Sequence, residues 1–333
     1  MNIPLRIVPG LRMSARSVPL VIVISAFKHQ FLEQTLESLA DQTCNNFDVF
    51  VGDDCGPHQI EAICSKFSER LNLTFHRFRT NLGGISLAKQ WDRCIALTDN
   101  PWIMLLGDDD MLDPDCVRSF YEAVQNRQQH SKLPLYRFDT RIIDANGNLI
   151  RENPEHASQV NSLDFLSGRF QGKSSYVVEV IFPRALHTEI CGFVELPLAW
   201  GSDDASWAKM ALGSSIKCIK GPRVSWRLSG ENISSTKREL APIKIMTQLR
   251  FLEWANDEIF STFDGNSSAV KDVRSQGVEW FLSGAEEKGA VVSFWSLPGI
   301  AHRLASFSGE SRLPLLWQLL KMKLRSLLGR PWQ

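Results

Sequence analysis

Residues 102–115 read WIMLLGDDDMLDPD. The apolar run Trp102–Leu106 breaks at Gly107 into three consecutive acids, Asp108, Asp109 and Asp110. A short continuous apolar run bounded by turn residues reads as a strand buried on both faces. Three similar runs precede it. PLVIVI (19–24) leads to Ser25-Ala26-Phe27, FDVFV (47–51) leads to Gly52-Asp53-Asp54, and Leu73–Phe78 is the third strand. Helical periodicity separates them at 31–39, 60–67 and 85–97, and a further helix is predicted over 115–124. Strands alternating with helices predict an α/β fold, with a Rossmann-like, mostly parallel central sheet flanked by helices.

In such sheets, ligands bind beyond the carboxyl ends of the strands. Here those ends carry Asp53-Asp54 and Asp108-Asp109-Asp110. A single carboxylate at a strand end is ordinarily a cap for the next helix. Two clusters, one of them three acids long, repel internally unless a cation or a donor-rich ligand sits among them. Asn81-Leu82-Gly83-Gly84 precedes the 85–97 helix, and glycines there permit close backbone approach.

The 333 residues include 37 Lys+Arg against 37 Asp+Glu, and 44% are hydrophobic. That is globular composition, and the zero balance argues against a protein that wraps nucleic acid nonspecifically, though not against a local basic patch. The cysteines number seven, without Cys-x-x-Cys spacing, which argues against a disulfide framework or a tetrahedral zinc site. They fit a reducing compartment. Val18–Ile24 is too short to span a membrane, and the sequence shows no signal peptide.

Further along, 135–145 reads as a strand into a turn at Asn146-Gly147, and 176–182 as a strand ending at Pro183. Residues 200–204, Trp-Gly-Ser-Asp-Asp, lead into a helix predicted over 207–212. Short strands are predicted at 216–219 and 224–228, and helices at 243–259 and 268–284. The organisation expected is an N-terminal tail (1–17), a catalytic domain (18–235, halves 18–125 and 126–235) and a helical C-terminal region (236–333). Residues 311–333 hold five basic and no acidic residues among many leucines and two tryptophans. Such a helix either lies on an anionic membrane surface or docks on the body with its basic side in water.

Taken together, VIVISAFKHQ (21–30), LESLADQTCNNFDVFVGDDCG (36–56), NLGGISLAKQWDRCI (81–95) and WIMLLGDDDMLDPD (102–115) resemble the inverting family 2 glycosyltransferases of GT-A fold. The resemblance continues through FPRALHTEICGFVE (182–195), WGSDDASWAKMA (200–211) and WRLSGENIS (226–234), and ends near 235. It implies transfer of a sugar from a nucleotide sugar, with a UDP-sugar expected, to a hydroxyl of a glycan or lipid-linked glycan in cell-surface polysaccharide synthesis. It implies Mn²⁺ or Mg²⁺ at Asp109 with support from Asp110, since a divalent cation stabilises a leaving diphosphate and prefers oxygen ligands. Nucleotide contacts fall on Ser25, Ala26, Phe27, Asp53, Asp54, Asn81, Gly84 and Asp108, and a diphosphate contact on Arg227. The base that deprotonates the acceptor falls on Asp204, with Asp203 beside it. One departure stands out. The family's motif begins with Asp where this chain has Gly107.

The implied partners are a nucleotide sugar, a glycan acceptor and an anionic membrane surface contacted by 311–333, with a homo-oligomer left open. The implied location is cytoplasmic, peripheral on the inner face of the membrane. Two alternatives remain at this point. One is a catalytically inactive sugar-nucleotide-binding or scaffolding member of the same fold, and the other a nucleotidylyltransferase. The latter wants a Gly-rich basic loop after the first strand, which SAFKHQ does not supply.

Overall fold

The structure is a computed structural model and describes residues 20–126, 132–230, 238–265, 267–287 and 293–327. The 1–17 tail, Glu231–Ser234 of the WRLSGENIS stretch and the end of the basic tail lie outside these residues.

The first half alternates β1 (Leu20–Ala26), α1 (Leu32–Ala40), β2 (Phe47–Asp53), α2 (Ile60–Ser65), β3 (Leu73–Arg77), α3 (Leu87–Ile95) and β4 (Trp102–Leu106). Then come β5 (Met111–Leu112), α4 (Cys116–Gln125), β6 (Leu135–Ile143), β7 (Leu149–Glu152), β8 (Gln159–Val160) and α5 (Ser162–Phe170). They are followed by β9 (Val180–Pro183), α6 (Arg184–Glu189), α7 (Ser202–Met210) and β10 (Ile216–Arg227). Four helices close the chain: α8 (Ala241–Glu258), α9 (Ser268–Glu287), α10 (Leu297–Ser308) and α11 (Arg312–Leu327).

The sheet order is β3-β2-β1-β4-β9-β6-β10-β5, with β7 beside β6 and β8 beside β10. The strands from β3 to β4 are parallel, as expected. Beyond β4 the sheet is mixed, because β9 runs antiparallel between β4 and β6. The two short strands expected at 216–219 and 224–228 are one strand, β10, whose register against β6 shifts between Ile219 and Arg223. Gly221-Pro222 breaks the ladder there without ending the strand, as at a bulge. The expected strand at 176–182 is a single helical turn over Val177–Glu179 followed by the four residues of β9.

β1 is the centre of the core. Alternate side chains leave a strand on opposite faces. Leu20, Ile22 and Ile24 enter a cluster with Leu36, Ile60 and Phe120. Val21 and Val23 enter a second cluster that holds Trp91, Trp207, Leu249, Phe281 and Leu304. The C-terminal helices therefore share one core with the sheet. Truncating Ile22, which is 0% exposed, to Ala would cost about 2–5 kcal/mol. All seven cysteines are unpaired.

Candidate functional site

The register aligns the carboxyl ends of the central strands. Ala26 pairs with Asp53 across β1 and β2, and Ile24 with Leu106 across β1 and β4. Asp108, Asp109 and Asp110 leave β4 at that edge and are all buried. Their carboxylates have different partners. Asp108 Oδ2 accepts from the backbone amides of Phe27 (2.9 Å) and Lys28 (2.7 Å), which ties the acid loop to the end of β1. Asp110 Oδ1 accepts from the Arg227 amide at 2.8 Å. Among the described residues the Asp109 carboxylate meets two side chains, Lys28 Nζ at 3.5 Å and Ser229 Oγ at 3.2 Å.

This crowding has an electrostatic cost. Burial, then the charge of Asp109, pushes Asp108 up to about 6 against the opposing pull of Lys28. Burial and Asp109 likewise raise Asp110 well above the ordinary carboxylate range. A cation among these acids would relieve both. Among the described residues no group of three or more His, Cys, Asp or Glu side chains is arranged to hold a metal. The donor chemistry thus fits a hard cation only if phosphate oxygens of a bound substrate complete its shell around Asp109.

Gly107 has a steric explanation. A Cβ there would press into the Asp110 carboxylate and come within 3.1 Å of Asp109 Oδ1. The missing first acid of the motif is the space into which Asp110 folds.

Asp53 and Asp54 are buried and fully engaged. Asp53 pairs with Arg77 and accepts from the Gly56 amide at 3.0 Å. Asp54 accepts from the amides of Leu82 and Gly83, both at 2.8 Å, and pairs with Arg93. Asn81 Oδ1 accepts from the Gly84 amide at 2.7 Å, shaping the turn before α3. Ser25 is half-buried, Ala26 buried and Phe27 exposed at the open edge.

Arg227 departs from the expected diphosphate contact. It is 0% exposed. Its guanidinium donates to the carbonyls of Asp109 (2.8 Å), Asp144 (3.0 Å) and Ala145 (3.2 Å) and to Gln34 Oε1 (2.8 Å). Reaching a phosphate would mean exchanging these bonds, which brace the back of the acid loop.

Asp203 and Asp204 lie in the first turn of α7, which begins at Ser202, earlier than the periodicity suggests. The chain enters through Leu198 (φ +59°) and Ala199 (φ +51°), then Gly201 (φ +82°). Two consecutive side-chain-bearing residues in the left-handed region store strain of about 1–2 kcal/mol each. Arg169 on α5 donates Nε–H to Asp204 Oδ2 at 2.8 Å, while Asp204 Oδ1 is buried and has no hydrogen-bond partner among the described residues. Burial disfavours the Arg169 charge, yet Asp204 outweighs it and raises the guanidinium's pKa. Asp203 is half-buried, and its carboxyl is raised by burial and then by the charge of Asp204. Among the described residues no hydrogen bond or ion pair joins this pair to the Asp108–Asp110 loop. Trp207, on the α7 side of the pair, is core, with its ring 5.1 Å from that of Phe182.

Residues 21–145 match the model of Glycosyl transferase family 2. That stretch, little more than a third of the chain, is a glycosyltransferase family 2 segment. The chain is also similar in fold to the crystal structure of S. aureus TarS 1–349 with UDP-GlcNAc. The TM-score is 0.57 at 17% identity over 95% of this chain and 93% of that one. The same TarS segment with UDP aligns with a TM-score of 0.54 and 16% identity over the same shares of both chains. The mannosyltransferase PcManGT from Pyrobaculum calidifontis, with GDP-Man and Mn²⁺, aligns with a TM-score of 0.51 at 13% identity over 96% of this chain and 89% of that one. These are likenesses of fold, the GT-A arrangement. No curated protein matches the sequence significantly.

The site also uses side chains that the motifs do not mark. Lys28 and Ser229 face Asp109, Arg77 and Arg93 neutralise Asp53 and Asp54, and Arg169 holds Asp204. Lys28 lies inside the quoted VIVISAFKHQ stretch, but its role depends on a residue 81 positions away. Arg169 lies on α5, a helix with no distinct periodic signal around Gly168.

Proposed function

We propose that this glycosyltransferase is inverting and metal-dependent, and that it moves a sugar from a UDP-sugar to a hydroxyl of a lipid-linked glycan during cell-surface polysaccharide assembly on the cytoplasmic face of the membrane. The observation that carries the reading is the Asp204 carboxylate. Arg169 occupies one oxygen, and the other has no hydrogen-bond partner among the described residues, as a base awaiting a hydroxyl proton would have none. As the acceptor oxygen attacks C1, its proton passes to Asp204 Oδ1 and the bond from C1 to the diphosphate oxygen breaks. Nucleoside diphosphate leaves from the opposite side, and the anomeric configuration inverts. One base suffices, and no covalent intermediate is needed.

Asp109 would hold the divalent cation together with donor phosphate oxygens. When bound, that ion neutralises charge gathering on the leaving group. Lys28, close to Asp109, adds positive charge on the same side. Asp108 keeps the β1 end, with Ser25, Ala26 and Phe27, in place beside the nucleotide. The UDP preference draws on the TarS complexes with UDP and UDP-GlcNAc, and the Mn²⁺ preference on the PcManGT complex. The unpaired cysteines suit a reducing location.

The test is a panel of UDP-, GDP- and dTDP-sugars with Mn²⁺, Mg²⁺ or EDTA, reading nucleotide release and the anomeric configuration of the product. Release with UDP-sugars that EDTA abolishes, and an inverted product, are expected. A retained configuration, or full activity in EDTA, would overturn the mechanism.

A further inference from the structure

α11 carries apolar side chains on two opposite faces. Leu315 and Leu319 are buried in the core shared with α9 and α10. At about 100° per residue, Leu313, Trp317 and Leu324, with Leu320 half-buried against the core among them, fall in one stripe roughly 60° wide on the far side. Leu313 is 74% exposed, Trp317 58% and Leu324 48%. Docking therefore leaves a second apolar stripe facing outward, where a helix merely capping the body would present polar residues.

The flanks of the stripe are basic. Lys321 and Lys323 stand roughly 70–90° to either side of its midline. Lys321 Nζ lies 5.2 Å from the Trp317 ring centroid, and Lys323 Nζ 5.8 Å from that of Phe294. The second contact places the Phe294-Trp295 turn beside the helix, and Trp295 is 94% exposed. No Asp or Glu occurs in 311–333, which also contains Arg312, Arg325 and Arg330. Two such faces pressed together would oppose like charges with no acid in the segment to pair them. An anionic lipid surface complements the same charges, takes tryptophan at headgroup depth and lets lysine stems snorkel. Among the described residues no helix is long and apolar enough to cross a membrane, so contact would be in the plane of the surface.

We propose that this face, formed by the outer stripe of α11 and the Phe294-Trp295 turn, seats the protein on an anionic lipid bilayer. The inference does not depend on which sugar is moved, and its test needs no donor.

The full chain would be sedimented with vesicles of phosphatidylcholine alone or with about one-third phosphatidylglycerol. Binding to the anionic vesicles alone, with a blue shift of tryptophan emission, is expected. The K321Q/K323Q variant should bind about 25-fold more weakly, at roughly fivefold per lysine. The W295S/W317S variant should lose the blue shift while keeping the parent melting temperature, because both rings are exposed. Absence of vesicle binding, or equal binding to neutral vesicles, would overturn the proposal. So would a dimer, measured by light scattering, that W295S/W317S dissolves, since the face would then be an interface between copies.

Discussion

The Nε–H of Arg169 donates to Asp204 Oδ2 at 2.8 Å, and the second oxygen of the same carboxylate is buried with no partner among the described residues. An ion pair between side chains 35 residues apart thus leaves one acceptor atom unused. Structural ion pairs ordinarily satisfy both oxygens, because an unmet buried acceptor costs about 1–3 kcal/mol. Replacing Asp204 by Asn keeps the shape and removes the basicity. Asp204→Asn should lower the transfer rate by about 10²–10⁴-fold while donor binding, read by thermal shift, is unchanged. Loss of donor binding instead would place the base elsewhere.

Arg169→Met removes the cation beside that carboxylate. Without it the carboxylate loses the donor that fixes its orientation. kcat should fall about tenfold or more, with donor KM little changed. Arg169→Lys should recover part of the loss. A purely structural arginine would lower the melting temperature and leave kcat of the folded enzyme unchanged.

Asp203 allows a stability test with a defined sign. Its carboxyl is raised in the folded protein by burial and by Asp204. A raised acid contributes stability that is full below the ordinary carboxylate range and lost as pH climbs through the raised value. Asp203→Asn cannot ionise and escapes that loss. The variant's melting temperature, relative to the parent's, should increase from about pH 4 to about pH 8. A flat difference across that window would refute the assignment.

Arg227 distinguishes a strut from a phosphate ligand. Its guanidinium is enclosed and bonded to three backbone carbonyls and to Gln34. Arg227→Met should cost about 3–5 kcal/mol of stability by denaturant unfolding. A surface phosphate ligand would instead weaken donor binding and leave stability unchanged.

Gly107→Asp restores the acid usual at that position of the family motif. The new Cβ meets the Asp110 carboxylate, and a fourth acid joins a cluster whose members already repel. The variant should melt lower and turn over more slowly than the parent. Higher activity would show that Asp110 can vacate the space without cost.

The first half of the fold was legible because local and tertiary signals agree there. β1, β2 and β4 are short apolar runs wherever they are read, since both their faces are buried. Agreement failed at β10. Gly221-Pro222 carries a strong turn signal, yet long pairing with β6 runs through it. α5 escaped notice for want of a distinct periodic face, and Arg169 went unseen with it. The acids could be located from their positions at strand ends, but not ranked. Only their partners separate Asp109, which faces side chains, from Asp108 and Asp110, which bind backbone amides.

From the sequence alone came the α/β alternation, the acidic strand ends, the acid pair before α7 and the basic character of the tail. Each is a property of residues close together in the chain, where periodicity and charge act directly. The tertiary structure decided which oxygen of Asp204 lacks a partner among the described residues, why Gly107 lacks a side chain, and that Arg227 is enclosed behind the acid loop. It also turned the tail's apolar residues into two faces, one buried and one bare. These depend on contacts between residues far apart in the chain, which exist only once the sheet and the C-terminal helices close on one core.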